Sequence, residues 1–187
     1  MNAECRVIES FDCSRPGRRT EVLDLGKVIS QNELILQRPQ WKDNGKRLVL
    51  TTGSFDLLHP GHIRLLEQAR SHGAVLVVGV LDDESARADS GSSPAGVRRP
   101  VMPAAERAEL LAALAAVDFV FECSAAGLPE LISRLRPDVI AEGSAPYAVG
   151  SLVAAAAKAS RIDVVRIPIE PGHSTSRLID RISQLRA

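Results

Sequence analysis

The stretch Leu48-Val49-Leu50-Thr51-Thr52-Gly53-Ser54-Phe55-Asp56-Leu57-Leu58-His59-Pro60-Gly61-His62 decides the fold. Leu48, Val49 and Leu50 form a short apolar run of strand-forming residues bounded by polar ones, which reads as a buried strand. A glycine-containing turn follows. Pro60 suits the first turn of a helix, where a missing N–H costs nothing. That helix carries Ile63, Leu65, Leu66 and Ala69 toward the core. Strand, tight turn and helix together aim backbone N–H groups and a helix N-terminus at one point, and such a point attracts phosphate.

Outward from this motif the chain reads as alternating elements. Upstream, Ser30 and Glu33 predict a capping box opening a helix with Leu34, Ile35 and Leu36, which Pro39 ends or kinks. Asn44-Gly45 turns into the first strand. Downstream, Ser71-His72-Gly73 stops the histidine helix, and Ala74 to Leu81 is a continuous apolar strand covered on both faces. Asp82 to Pro100 is polar and glycine-rich and reads as a long mobile loop, a lid by its length. Helices are predicted from Pro103 to Ala116 (stripe Leu110, Leu111, Leu114, Val117), Pro129 to Leu135, Leu152 to Ala159 and Ser174 to Leu185 (stripe Leu178, Ile179, Ile182, Leu185). Strands are predicted at Phe119–Phe121, Val139–Ala141 and Val164–Ile167. Five strands alternating with helices mean an α/β fold, a doubly wound five-stranded parallel sheet with helices on both faces.

Composition narrows the function classes. The 187 residues suit one domain, taken as residues 24–187, with residues 1–23 as an N-terminal extension. Within that extension Arg15-Pro16-Gly17-Arg18-Arg19 reads as a solvated basic turn. Lys+Arg equals Asp+Glu at 23 each, so nothing favours nucleic acid or membrane as partner, and phosphate recognition must be local. No apolar run has the length of a membrane span, and no basic-then-apolar leader opens the chain. Three scattered cysteines without metal-ligand spacing suit a reducing compartment, so a cytoplasmic location is expected and no metal-ligand set is assigned.

A second cluster, Gly172-His173-Ser174-Thr175-Ser176-Arg177, opens the last helix. Its hydroxyls can cap free N–H groups or bind phosphate oxygens beside them, with Arg177 adding charge. Together with Gly53-Ser54-Phe55-Asp56 and His59-Pro60-Gly61-His62, this resembles the cytidylyltransferase-like branch of the nucleotidyltransferases, whose signature runs G-x-F-D-x-x-H-x-G-H. The phrases Arg107-Ala108-Glu109-Leu110, Leu135-Arg136-Pro137-Asp138 and Pro171-Gly172-His173-Ser174-Thr175 look most like the branch that makes ADP-heptose from heptose 1-phosphate. In that branch the domain is often fused to a sugar kinase, for which this chain has no room. Three features depart from the branch. Glu142 stands where it carries a lysine, with its aspartate absent from Gly143-Ser144-Ala145-Pro146-Tyr147, and Leu81 replaces a small polar residue although Asp83 matches.

The resemblance implies a Rossmann-like order of strands and the transfer of a nucleoside monophosphate, AMP from ATP with Mg²⁺, to a sugar phosphate such as heptose 1-phosphate. His59 and His62 are the expected catalytic residues, donating to phosphate oxygens. Thr52, Gly53, Ser54, Phe55, Asp56, Gly61, Arg107, Ser174, Thr175, Ser176 and Arg177 are expected around the nucleotide and its phosphates. Asp83, Arg98, Arg99, Glu142 and Tyr147 are candidates on the acceptor side, with Arg98 and Arg99 able to close over the phosphates in place of a lysine. Two alternatives stay open: a CTP-dependent enzyme acting on glycerol 3-phosphate or a similar alcohol phosphate, and a nucleotide-binding module without turnover. The resemblance allows a homodimer without requiring one.

Overall fold

The computed structural model describes residues 26–89, 97–143, 148–168 and 172–185. The N-terminal extension, the tip of the expected lid at 90–96, the 144–147 stretch with Tyr147, and Pro171 lie outside the described residues. Five strands, β1 (Leu48–Gly53), β2 (Val75–Leu81), β3 (Phe119–Cys123), β4 (Val139–Gly143) and β5 (Asp163–Ile167), form one parallel sheet in the order β3-β2-β1-β4-β5. Chain order runs outward from β1 to β2 and β3 on one side, then jumps back to β4 and β5 on the other. The switch therefore falls between β1 and β4, and ligands of such sheets bind beyond the carboxyl ends of the strands there.

β2 is buried at all seven positions, as its unbroken Val/Leu composition requires with helices on both faces. The outer edge of β3 is covered by residues 27–29, which exchange hydrogen bonds with Val120. One core face gathers Leu34, Trp41, Leu48, Leu50, Ile132, Ile140 and Val153, beneath α1 (Gln31–Asp43), α5 (Leu128–Leu135) and α6 (Ala148–Ser160). The other gathers Val49, Leu66, Ala69, Val78, Leu111, Val139 and Ala141, beneath α2 (Pro60–Arg70) and α4 (Ala104–Ala112). The alternation along β1 and β4 sends odd positions to one face and even positions to the other, as a period of two demands.

Several details differ from the sequence reading. The supposed lid contains a helix, α3 (Asp83–Asp89). Asp82 caps it, its Oδ1 accepting from the Ser85 N–H at 2.7 Å, and Ala86 anchors it with no exposed surface. One alanine is too weak an apolar signal to betray a two-turn helix. Pro39 does not end α1, which runs on to Asp43 with Pro39 on its exposed side. α4 ends at Ala112 rather than Ala116, and its buried stripe includes Arg107 while Leu110 is exposed. In α7 (Thr175–Gln184) only Ile179 of the expected stripe is fully buried; Ile182 and Leu185 are exposed.

Candidate active site

The cavity beyond the carboxyl ends of β1 and β4 has a volume of about 480 Å³. One wall is the β1–α2 turn. Phe55 takes a positive φ of 44° there, a conformation that costs a side-chain-bearing residue about 1–2 kcal/mol. The turn is held because Phe55 is buried and its ring sits 5.4 Å from that of His62. Gly53 is required by the same ring: a Cβ at 53 would lie 3.1 Å from Phe55 Cε2. Gly61 is required by the histidines, since a Cβ would lie 3.0 Å from His59 Nδ1 and 3.2 Å from His173 Cβ.

His59 is the N-cap of α2, in extended conformation, with Pro60 at the first helical position. Its Nδ1 accepts from the His62 N–H at 3.3 Å. The neutral ring therefore carries its proton on Nε2, which is left as a donor. The two imidazoles stack at 3.7 Å between centroids and 18° between planes. Burial, then the neighbouring His59 and Arg99, pull the His62 pKa down to about 3. Burial and then His173 also lower that of His59. Both rings are thus held toward the neutral form, and their stacking needs no charge–charge repulsion. His62 Nδ1 is buried without a partner among the described residues.

Two residues expected at the nucleotide lie instead behind the wall. Asp56 is 1% exposed and accepts from the Val101 N–H at 2.7 Å, the Met102 N–H at 3.1 Å and Arg99 Nε at 3.2 Å. Arg107 has no exposed surface; its Nε donates to the Met102 carbonyl at 2.9 Å, Nη1 to the Ser54 carbonyl, and Nη2 to Asp83 Oδ1 at 2.7 Å. Together they lace the 99–102 segment and α3 to the turn after β1. A full set of partners accounts for a buried guanidinium, which is otherwise costly. Arg99, paired with Asp56, reaches the cavity and lines it, whereas Arg98 is exposed and does not.

The opposite wall comes from β4 and α6. Glu142, Gly143, Val149 and Gly150 line it, with Asp89 at the end of α3. Asp89 Oδ1 accepts from the Val149 N–H at 3.0 Å and so ties α3 to the first turn of α6. Glu142 Oε1 is buried with no partner among the described residues, and burial raises its carboxyl pKa against the opposing pull of Arg166. The floor is Thr52 with Gly53 and Ser54.

The start of α7 closes the third side. Ser174 is its N-cap, accepting from the Arg177 N–H at 3.2 Å, and Ser174, Thr175 and Ser176 line the cavity. Two helix N-termini, those of α2 and α7, therefore converge on one space, with imidazole, hydroxyl and amide donors around it. Arg177 does not line this cavity. It faces an adjoining groove shared with His59, His173 and Arg181. The wall residues that sequence reasoning missed are His173, Asp89, Leu65, Gly143, Val149 and Gly150. His173 was adjacent to a recognised motif, but Asp89 lay in a stretch read as loop.

Comparison with known proteins agrees with this geometry. The cytidylyltransferase-like family pattern matches residues 50–181. The bifunctional protein HldE of Koribacter versatilis is 44% identical over 156 residues, 83% of this chain and 31% of that protein. The HldE of Campylobacter jejuni is 40% identical over 176 residues, 94% of this chain and 35% of that protein. The chain thus spans about a third of the length of these relatives. Among solved structures, a lipopolysaccharide core biosynthesis protein from Thermoplasma volcanium superposes with a TM-score of 0.53 at 28% identity, covering 67% of this chain and 98% of that one. A pantoate-beta-alanine ligase from Francisella tularensis shares the fold at a TM-score of 0.58 and 14% identity, covering 82% of this chain and 72% of that one. No helix among the described residues is long and apolar enough to cross a membrane. With its histidine turn and hydroxyl-rich last helix set at the switch between β1 and β4, the chain belongs to the cytidylyltransferase-like family.

Proposed function

We propose that this chain transfers AMP from ATP to a heptose 1-phosphate and releases pyrophosphate. The observation that carries the reading is the convergence of the stacked His59–His62 pair and the Ser174–Ser176 helix start on one cavity. The likeness to HldE proteins over most of this chain, and to a protein named for lipopolysaccharide core biosynthesis, supports a sugar phosphate as acceptor.

An oxygen of the acceptor phosphate attacks the α-phosphorus of ATP. The new P–O bond forms as the bond to the β-phosphate oxygen breaks, and the electron pair leaves with pyrophosphate. The attacking phosphate is already anionic, so the protein's contribution is alignment and stabilisation of charge on the phosphates. His59 donates from Nε2 as a neutral ring, and His62, held neutral by burial, donates without a charge to desolvate. Thr175 and Ser176 add hydroxyls and first-turn N–H groups to the phosphate tail. Arg99 supplies positive charge at the cavity wall, held there by Asp56. Arg107 positions the turn from behind. No group of three or more His, Cys, Asp or Glu converges as metal ligands among the described residues. Mg²⁺, a hard cation suited to phosphate oxygens, would supply charge neutralisation on the triphosphate beside Ser174, Thr175 and Ser176.

The test is pyrophosphate release with ATP or CTP, Mg²⁺, and either heptose 1-phosphates or glycerol 3-phosphate. Release with ATP and a heptose 1-phosphate is expected. Release only with CTP and glycerol 3-phosphate would move the chain to the cytidylyltransferase reading. Nucleotide binding without release for any acceptor would favour a non-catalytic module.

A further inference from the structure

Among the described residues, four buried side-chain polar atoms lack a hydrogen-bond partner: Arg38 Nη1, Thr51 Oγ1, His62 Nδ1 and Glu142 Oε1. Arg38 is spent on the junction of α1 with Arg136 and Asp138, and Thr51 does not line the cavity. His62 belongs to the stacked pair. Glu142 is left, the one carboxylate that both lines the cavity and holds an oxygen shut away from solvent with no donor on it. Asp89, the other carboxylate there, is occupied by the Val149 N–H. Arg166 is the strand neighbour of Glu142 in β5, yet no ion pair forms between them. A buried acceptor left unmade is costly in the empty site and becomes an asset when a ligand brings the missing donor.

The placement says which donor. Glu142 shares a strand face with Ile140, whose cluster includes Val149 and Val153 of α6. The histidines stand on α2, whose Leu66 and Ala69 pack on the other face of the sheet. The cavity thus has a donor-rich side of imidazoles and hydroxyls and, across the sheet end, an acceptor side at Glu142. Phosphate oxygens are repelled by a carboxylate and satisfied by the first side. What faces Glu142 must carry O–H or N–H groups.

We propose that Glu142 is a specificity residue for the acceptor, accepting hydrogen bonds from adjacent hydroxyls of a sugar and so selecting a polyhydroxylated sugar phosphate over a simple alcohol phosphate. This rests on the nucleotidyl-transfer reading above and names what the acceptor must offer.

The experiment is calorimetric titration of the full chain and its Glu142→Ala and Glu142→Gln variants with heptose 1-phosphate and, separately, with Mg²⁺ and a non-hydrolysable ATP analogue, alongside steady-state kinetics. Glu142→Ala should weaken heptose 1-phosphate binding by about tenfold, the size of one or two hydrogen bonds. Its acceptor KM should rise by the same factor while kcat and nucleotide affinity stay close to those of the unaltered chain. Glu142→Gln keeps one acceptor oxygen and should lose less. A merely structural Glu142 would instead shift the melting temperature and both affinities together. Unchanged heptose 1-phosphate affinity in Glu142→Ala overturns the inference. So does a loss confined to the nucleotide, which would give the hydroxyls to the ribose, and so does failure of the unaltered chain to bind heptose 1-phosphate. Binding of both ligands without pyrophosphate release would overturn the transfer reading instead, and the titrations would still decide the role of Glu142.

Discussion

The two junctions that face each other across the cleft are built on opposite principles. The β1–α2 junction is over-determined: Phe55 in a left-handed conformation, Gly53 under its ring, Asp56 with three donors, and Arg107 binding three acceptors with no exposed surface. Among the described residues, the β4–α6 junction carries one titratable group at the cavity, Glu142, whose buried oxygen none of them satisfies. The first is pre-organised for charge that develops at a fixed place; the second is left to be completed by what binds. Pre-organised donors of this kind cost nothing to arrange at the moment of reaction, which is why chemistry is expected at the histidines and selection at the carboxylate.

The comparison breaks most readily at its buried cation. Replacing Arg107 with Met strips the Ser54 and Met102 carbonyls and Asp83 of their donor, so stability should fall by about 3–5 kcal/mol. In a chain of this size that lowers the melting temperature by about 10 °C, measurable by calorimetry. Arg107→Lys should recover little, because one ammonium cannot span three acceptors in fixed directions.

Next in size are the histidines. His59→Ala and His62→Ala should each cut turnover by about 10²–10³, the loss typical of one pre-organised donor, with the fold retained by circular dichroism. Near-normal turnover in both would remove the histidines from the chemistry.

The pH response sharpens the same contrast. The His62 pKa lies at about 3 in the folded chain against an ordinary value of 6.5. Below pH 6.5 the unfolded chain takes up a proton that the folded chain refuses, so stability falls as pH drops toward 3 and is fully present above 6.5. Between pH 6.5 and 5 the loss should be about 2 kcal/mol, and His62→Asn should flatten it in melting curves.

The smallest effect belongs to the opposite wall. Glu142→Ala removes a buried oxygen with no partner, so stability should be unchanged or higher by about 1 kcal/mol at most, read as denaturant midpoint. A clear loss of stability there would mean that Glu142 is as firmly tied as the histidine side.

Legibility followed the same divide. The β1–α2 turn could be read because its residues are adjacent in the chain and each has a local physical reason: a proline for the first helical turn, glycines where rings approach, and histidines at a helix start. Asp56 and Arg107 were also singled out, but as ligand contacts. The Asp56 partner Arg99 lies 43 residues away in the chain and the Arg107 partner Ser54 lies 53 away, and no local pattern says that a charge will be turned inward. Leu110 failed in the reverse sense. Apolar residues at helical spacing were assigned to the core, but the covering helix presents only a narrow stripe, and the rest of its leucines meet solvent.

By itself the sequence determined the alternation of five strands with helices, the phosphate-seeking turn, and the hydroxyl-rich start of the last helix, because each depends on neighbours along the chain. Only the tertiary structure decided that β4 returns beside β1, and therefore that Glu142 and the histidines share one cavity. It also decided that Arg99 reaches the cavity while Arg107 holds the wall behind it. Those outcomes depend on which strands pair and which faces pack, and the free energy of that packing is spread over residues far apart in the chain.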